Sequence, residues 1–122
     1  MNRLATTTFI LGAGLLFLTV LMDVSHAAGK AQCGKASWYE LTSKTASGEY
    51  ANPTKMTAAH KKLKFGRKIE VTNMRNGKKV IVRINDRGPF TKGRVLDVTR
   101  AAAKKLGFKN AGTTKVCFKV IS

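Results

Sequence analysis

The sequence is poor in acidic residues: its 122 residues contain 6 Asp and Glu against 23 Lys and Arg, a net charge of +17. It is also poor in metal ligands, with two histidines and two distant cysteines, and no spacing of these is typical of a zinc site. No phosphate-binding glycine loop and no nucleophile elbow is present. The sequence therefore predicts no metal and no cofactor, and it gives no support for a nucleotide-binding enzyme or a serine hydrolase.

The N-terminal segment has the layout of a secretory signal peptide. Arg3 precedes an uncharged run over residues 4–22, and Ser25-His26-Ala27 supplies a small-residue cleavage site after Ala27. An uncleaved membrane anchor is the alternative, because a spanning helix needs about 20 apolar residues. Gly12 and Gly14 favour cleavage. No cysteine directly follows the run, so we expect no lipid anchor and no stable membrane anchor once the signal is removed.

The remaining chain, residues 28–122, has the size of one domain and retains the strong positive charge. Such a charge attracts polyanions. An exported protein rarely meets nucleic acid, so the anionic bacterial wall is the expected partner. Basic faces that only keep a small monomer soluble explain the charge equally well. Cys33 and Cys117 lie near the two ends of this domain, and an oxidising compartment would let them form a disulfide.

Alternating and turn-forming residues predict a mainly β domain over residues 36–122, preceded by a short arm over residues 28–35. We expect strands over residues 36–39, 69–73, 80–84, 94–98 and 115–120. Residues 42–55 are expected to form a loop, and residues 57–61 one helical turn capped by Thr57. Asn76-Gly77 predicts a hairpin with a type I′ turn. Thr99 and Gly107 are expected to cap a helix over residues 101–106. A small closed barrel suits such a set.

Five acidic residues remain to be assigned in this domain. Glu40 and Glu70 are predicted on the surface, and Asp97, just before the helix cap, is predicted to bond nearby backbone amides. Asp86 leaves the hairpin strand at a Gly-Pro turn, and Glu49 lies in the long loop. For both Asp86 and Glu49, two explanations stay open: an ordinary role in forming the turn or loop, and a catalytic role.

Five segments, in order, resemble one family: the rare lipoprotein A family of septal peptidoglycan lytic transglycosylases. The resemblance covers about residues 34–121. The segments are Ala36-Ser37-Trp38-Tyr39, Thr45-Ala46-Ser47-Gly48-Glu49, Met56-Thr57-Ala58-Ala59-His60, Asn85-Asp86-Arg87-Gly88-Pro89-Phe90 and the run from Gly93 to Ala103.

The resemblance implies a six-stranded double-psi β-barrel with one or two short helices. It also implies cleavage of the β-1,4 bond between N-acetylmuramic acid and N-acetylglucosamine, with a 1,6-anhydro product, in glycan strands stripped of stem peptides. Asp86 would be the acid/base, and Glu49 and His60 would complete the catalytic site. Sugars would contact Tyr39, Arg87 and Phe90, whereas Trp38 is expected to pack in the core.

Three other functions are kept as alternatives. A non-catalytic, expansin-like module would bind wall glycan and cut nothing. An inverting hydrolase would use Glu49 and Asp86 as a pair of carboxyl groups and leave a reducing end. A basic nucleic-acid binder is disfavoured by the export signal and by the lack of an aromatic and basic stacking motif.

Overall fold

The computed structural model describes residues 30–122, so the predicted signal peptide and its cleavage site lie outside the described residues. The elements are β1 (Gln32–Tyr39), β2 (Thr57–Ala59), β3 (Lys68–Asn73), β4 (Lys79–Asp86), β5 (Arg94–Thr99), α1 (Arg100–Leu106) and β6 (Thr113–Val120). The strands close into a barrel in the order β1-β5-β2-β4-β3-β6, and β6 pairs with β1. The predicted mainly β, six-stranded barrel with a short helix is therefore confirmed.

The core lies inside the barrel and is filled by alternate residues of the strands. Ile69 and Val71 of β3 face inward, as do Val82 and Ile84 of β4, and all four are at most 1% exposed. Trp38 packs against this core, as predicted, and its Nε1 donates to the carbonyl of Lys109 at 3.0 Å. In the part of the chain that the structure describes, no helix is long and apolar enough to cross a membrane.

Helix α1 begins and ends at the predicted caps. The Thr99 hydroxyl accepts a hydrogen bond from the Ala102 N–H, and Gly107 ends the helix in the left-handed conformation at φ 80°. Thr99 also donates to the carbonyl of Lys55 at 2.5 Å, so the same cap fastens the end of the long loop.

The predicted hairpin joins β3 to β4, but the prediction of a two-residue type I′ turn is wrong. The Asn73 N–H donates to the carbonyl of Lys78 at 2.8 Å, so four residues, and not two, lie between the last bonded pair. The buried Asn73 side chain donates to the carbonyl of Leu106 and accepts from the Thr114 hydroxyl. The turn is therefore shaped by its contact with the end of α1, which Asn76-Gly77 alone does not encode.

The predicted helical turn over residues 57–61 is also wrong, because its first three residues form β2. Thr57, Ala58 and Ala59 are buried between β4, to which β2 is parallel, and β5, to which it is antiparallel. A three-residue strand paired on both sides is stabilised by its neighbours, and no local pattern distinguishes it from a capped turn. Strand β1 is longer than predicted and begins at Gln32, within the expected N-terminal arm.

The structure joins Cys33 and Cys117 in a disulfide. The two residues lie directly opposite each other in the antiparallel pair of β1 and β6, with their Cα atoms 4.0 Å apart. The bond closes a sequence separation of 84 residues and so ties the first strand to the last.

Candidate functional site

The candidate site is built on a row of residues that crosses four strands of the barrel. Asp86 of β4 lies opposite Ala59 of β2, which lies opposite Asp97 of β5, which lies opposite Ser37 of β1. Two strand spacings separate the Cα atoms of Asp86 and Asp97, about 10 Å. We call Glu49, Asp86 and Asp97 the acidic rim.

Tyr39, at the end of β1, lies among these carboxylates. Its own burial, followed by the negative charges of Asp86 and Asp97, raises the pKa of Tyr39 to about 12. The phenol therefore remains a neutral hydrogen-bond donor at any physiological pH, and it lies beside the acidic rim.

The Asp86 carboxylate is held by backbone groups on one oxygen. Its Oδ1 accepts hydrogen bonds from the N–H groups of Ala46 and Arg87, both at 2.9 Å. Among residues 30–122, no hydrogen bond reaches Oδ2. The carboxyl is thus fixed in orientation while one oxygen remains available to exchange a proton with a bound molecule.

The long loop between β1 and β2 carries Glu49 to the same place. The Thr45 N–H and the Glu49 carbonyl close a tight turn at 2.8 Å, in which Gly48 adopts a positive φ of 92° that side chains disfavour. The turn contacts the end of β4, where the Ser47 N–H donates to the carbonyl of Asn85 at 3.3 Å. Residues far apart in sequence therefore place Glu49 beside the Asp86 strand.

Glu49 forms a bidentate ion pair with Arg83 of β4. The two guanidinium nitrogens donate to Oε1 at 2.9 Å and to Oε2 at 2.8 Å. These hydrogen bonds are the main reason that the pKa of Glu49 lies below its ordinary value. Glu49 is therefore the ion-paired member of the acidic rim, and its pairing with Arg83 favours the charged carboxylate. Arg83 was not predicted as a site residue, because one arginine in an alternating strand is typical of a solvated side chain.

Replacing Arg83 by methionine is expected to raise the pKa of Glu49 towards its ordinary value, because the charge-assisted hydrogen bonds are lost. The Glu49 side-chain carboxyl carbon, followed by NMR through an acid titration, measures this directly. Lys104→Gln removes an equal charge from α1 and is the matched control. An unchanged Glu49 titration in Arg83→Met would contradict the ion pair.

His60 lies next to the row, but its ring is used inside the protein. The residue is 7% exposed. The ring Nδ1 accepts from the N–H groups of Lys62 and Leu63 at 3.0 Å, and Nε2 lies 2.9 Å from Gln32 Oε1. With both nitrogens engaged in these contacts, the His60 ring forms no hydrogen bond to Asp86 within the described residues. His60 instead reaches Asp86 through its backbone, whose N–H donates to the Asp86 carbonyl at 3.1 Å.

The protein is expected to lose stability as the pH falls below about 6.5, the ordinary pKa of histidine. Burial, with the charges of Arg87 and Lys61, lowers the pKa of His60 in the folded state. The unfolded chain then binds a proton before the folded one does, so His60 contributes stability that is present above pH 6.5 and is lost as the pH falls towards the folded pKa. Denaturant unfolding at pH 7.5 and 5.5 measures this loss.

The matched variant for this experiment is His60→Gln, which cannot titrate. His60 is the one histidine within residues 30–122, so the variant should unfold with a smaller difference between the two pH values. Equal pH dependence in both proteins would mean that the His60 ring is accessible and titrates normally.

The other two predicted substrate contacts differ in their environment. The Arg87 guanidinium donates to the carbonyls of His60 and Leu63 and lies 4.0 Å from the centre of the Phe65 ring. It is turned into the protein, so the structure does not bring it to the free oxygen of Asp86. Phe90, four residues after Asp86, is 80% exposed.

Tyr50 is an exposed aromatic residue that was not predicted to contact sugars. It follows Glu49 directly in the loop and is 67% exposed, with the Lys44 ammonium 5.8 Å from its ring centre. Two exposed aromatic rings, Tyr50 and Phe90, therefore lie on the chain segments that carry Glu49 and Asp86. Exposed rings of this kind suit the apolar faces of sugars. Within the described residues, no group of three His, Cys, Asp or Glu side chains is arranged to hold a metal ion.

Solved structures with the same fold include two kinds of protein. A Streptomyces papain inhibitor superposes with a TM-score of 0.67 at 20% identity, covering 82% of this chain and 100% of that one. An expansin from Clavibacter michiganensis superposes with a TM-score of 0.61 at 22% identity, covering 76% of this chain and 51% of that one. At these identities the likeness establishes the double-psi barrel fold alone.

Sequence relatives are much more similar. Three relatives carry the name endolytic peptidoglycan transglycosylase RlpA, the first of them with the qualifier "probable". They come from Synechocystis (43% identical over 102 residues), Pasteurella multocida (49% over 99) and Neisseria meningitidis serogroup A (52% over 88). The matches cover 81%, 79% and 70% of this chain, and 32%, 34% and 37% of the relatives. The chain thus spans about a third of the length of these curated relatives.

The family comparison covers most of the barrel. Residues 31–118 match the family described as lytic transglycolase, a range that contains all three residues of the acidic rim and the His60 segment. Together with the barrel topology and the relatives, this match establishes that the chain belongs to the RlpA family of double-psi β-barrel lytic transglycosylase domains.

Proposed function

We propose that this protein is an exported lytic transglycosylase of the bacterial envelope, which cleaves the β-1,4 bond between N-acetylmuramic acid and N-acetylglucosamine. The observation that carries the proposal is Asp86, oriented through Oδ1 by two backbone N–H groups beside the charged Glu49–Arg83 pair. The relatives, which are named for endolytic cleavage of peptidoglycan, supply the substrate class.

A single carboxyl group is enough for this reaction. Asp86 protonates the glycosidic oxygen, and the bond from that oxygen to the anomeric carbon of the muramic acid breaks. The 6-hydroxyl of the same sugar then bonds to the anomeric carbon, and its proton passes to the Asp86 carboxylate. The proton balance closes, water is not consumed, and the products are a 1,6-anhydro end and a free 4-hydroxyl.

The neighbouring residues assist without exchanging protons. Positive charge develops on the sugar ring in the transition state, and the Asp86 carboxylate left by the proton transfer stabilises it electrostatically. Glu49, neutralised by Arg83, holds the loop beside Asp86. Tyr39 donates a hydrogen bond to the substrate or to Asp86 through its neutral hydroxyl. His60 is a positioning residue, because its backbone holds the Asp86 strand and its buried ring fixes residues 60–63.

The ion pair also argues against the inverting hydrolase. In that mechanism the second carboxylate must be free to remove a proton from water. Both oxygens of Glu49 accept hydrogen bonds from Arg83, which makes Glu49 a weak base. A transglycosylase needs no such second base.

We further propose residues 1–27 as a signal peptide that is cleaved during export, leaving a monomeric domain in the periplasm or cell envelope. Export explains the disulfide, since Cys33 and Cys117 would stay reduced in the cytoplasm. The proposed partner is peptidoglycan glycan strands, attracted by the positive charge.

The second candidate is a non-catalytic, expansin-like module that binds wall glycan. The observation that favours it is the fold shared with the Clavibacter expansin. It differs from the main proposal in one measurable respect, because such a module releases no soluble fragment from its substrate.

Incubation of the purified protein with purified glycan strands, with and without stem peptides, separates the two. We expect release of soluble fragments from peptide-free strands, measured by size separation and sugar analysis. Sedimentation of the protein with strands that stay intact throughout would favour the binding module and overturn the enzymatic proposal.

A further inference from the structure

The N-terminal end of β1 contacts the ring of His60. Gln32 is the first residue of β1, and its side-chain Oε1 lies 2.9 Å from His60 Nε2. Phe118 of β6 packs edge-on against the same ring, with the two ring centres 5.5 Å apart. Gln32 and Phe118 lie directly opposite each other in the ladder of β1 and β6. The imidazole is therefore held from both strands of one rung.

The hydrogen bonds of the imidazole fix the position of its proton. Nδ1 accepts from the N–H groups of Lys62 and Leu63, so this nitrogen carries no proton. Burial lowers the pKa of His60, which favours the neutral ring at pH 7. The single proton of the neutral ring therefore lies on Nε2, and Nε2–H donates to Gln32 Oε1.

The backbone of His60 connects this ring to the proposed acid/base. The His60 N–H donates to the Asp86 carbonyl at 3.1 Å, and the His60 carbonyl accepts from the Arg87 guanidinium at 3.1 Å. The N–H of Arg87 is one of the two groups that hold Asp86 Oδ1. A shift of the ring away from Gln32 would therefore move the segment that orients the catalytic carboxyl.

The disulfide forms the next rung of the same two strands. Cys33 follows Gln32, and Cys117 precedes Phe118. Among the described residues, β1 pairs with β5 only from Lys35 onwards, so its first residues are held by β6 alone. The end of a strand held on one side opens more easily than its middle. A covalent bond at this rung therefore keeps the Gln32 side chain against the ring.

We propose that Gln32 is a positioning residue for Asp86, which acts through the Nε2–H of His60 and is fixed in place by the Cys33–Cys117 disulfide. This role rests on the proposed function. Gln32 touches neither the substrate nor the reacting atoms. The disulfide thereby acquires a part in catalysis that is separate from its contribution to stability, because the acid/base site is fully ordered only when the two cysteines are bonded.

The first test measures kcat and KM for cleavage of peptide-free strands at pH 8, above the ordinary pKa of histidine. Gln32→Ala removes the acceptor of the Nε2 proton. We expect kcat to fall about tenfold with KM unchanged, because a small misplacement of the carboxyl affects the transition state more than substrate binding. Gln32→Glu keeps a side-chain oxygen at the same reach and should recover most of the lost kcat.

The His60 ring supplies a spectroscopic readout that a loss of stability alone does not change. His60 is the one histidine within residues 30–122, so its NMR signals are identified directly. We expect the Nε2 proton to exchange slowly with water in the parent and in Gln32→Glu, and rapidly in Gln32→Ala. The matched control is Leu106→Ala, which removes a buried side chain from α1. It should lower the unfolding temperature but keep both kcat and the slow exchange.

The part played by the disulfide is tested by combining variants. Cys33→Ala/Cys117→Ala should lower kcat at a temperature where circular dichroism shows that the protein is folded. The same two changes should have much less effect on kcat when Gln32 is already alanine, because both act through one contact and their effects are then not additive. Equal effects in the two backgrounds would contradict an action of the disulfide through Gln32.

The outcomes separate this inference from the proposed function. A folded Gln32→Ala protein that cleaves at the parent rate, or that changes KM alone, would overturn the inference and leave the enzyme. Absence of cleavage by the parent would overturn the proposed function, and the catalytic role of Gln32 with it. Rapid exchange of the Nε2 proton in the parent would contradict the contact between Gln32 and His60, whether or not the protein cleaves glycan.

Discussion

Replacing Asp86 by asparagine is expected to lower the rate of glycan cleavage by a factor of about 10² to 10⁴, the contribution typical of a positioned general acid and base. Asparagine keeps an oxygen where Oδ1 accepts from the Ala46 and Arg87 N–H groups, so the strand and the loop should stay in place. What it loses is the proton that must reach the leaving oxygen. The initial rate of fragment release from peptide-free strands measures the effect.

The matched control for this variant is Glu70→Gln, an isosteric loss of a carboxylate in the middle of β3, away from the acidic rim. It should cleave at the unaltered rate, and the thermal unfolding of both variants should resemble that of the parent. An Asp86→Asn protein that is folded and cleaves as fast as Glu70→Gln would show that another group supplies the proton.

Loss of the Cys33–Cys117 disulfide is expected to lower the free energy of unfolding by about 4–5 kcal/mol. The bond closes a separation of 84 residues, and the chain-entropy relation gives a cost of this size for freeing so long a loop in the unfolded state. A domain with a core this small has a total stability not much larger than that loss. Denaturant unfolding of the double variant Cys33→Ala/Cys117→Ala measures the difference.

The reduced fold should nevertheless form where conditions are stabilising, because β1 and β6 remain paired over residues on both sides of the disulfide. The parent with added reductant should unfold at the same denaturant concentration as the double variant, and reductant should not affect the variant. A stability change below about 1 kcal/mol would mean that the unfolded chain already keeps its two ends close together.

The parts of the fold that were predicted correctly are those encoded locally. The caps of α1 follow from the Thr99 hydroxyl and the φ of Gly107, and both depend on a few neighbouring residues. The strands β3 and β4 follow from alternation, which the burial pattern reproduces throughout β3 and as far as Ile84 in β4. A closed barrel was expected from the set of short strands, and the family resemblance added six strands and the double-psi type. The strand order was not predicted, since no local pattern specifies which strands pair.

The errors arose where a segment's structure is decided by distant neighbours. Thr57–Ala59 is a strand because β4 and β5 pair with both of its edges. The turn after Asn73 is wide because the Asn73 amide contacts the carbonyl of Leu106 at the end of α1. Neither contact leaves a signal in the segment itself.

The candidate site divides in the same way. Glu49 and Asp86 were predicted from motifs, and the structure brings their strand and loop together. The directions of the His60 ring and the Arg87 guanidinium were not predictable, because both depend on backbone groups of residues 60–63. The role of Arg83 was not predictable either, because its partner Glu49 lies 34 residues away in the long loop.

The proposed chemistry is tested most directly by digesting peptide-free glycan strands in water enriched in heavy oxygen and weighing the products by mass spectrometry. Attack by the 6-hydroxyl consumes no water, so we expect 1,6-anhydro-muramic ends that carry no heavy oxygen. Reducing ends that contain one heavy oxygen would contradict the transglycosylase and identify a hydrolase, in which a base other than the Arg83-bound Glu49 would have to activate water.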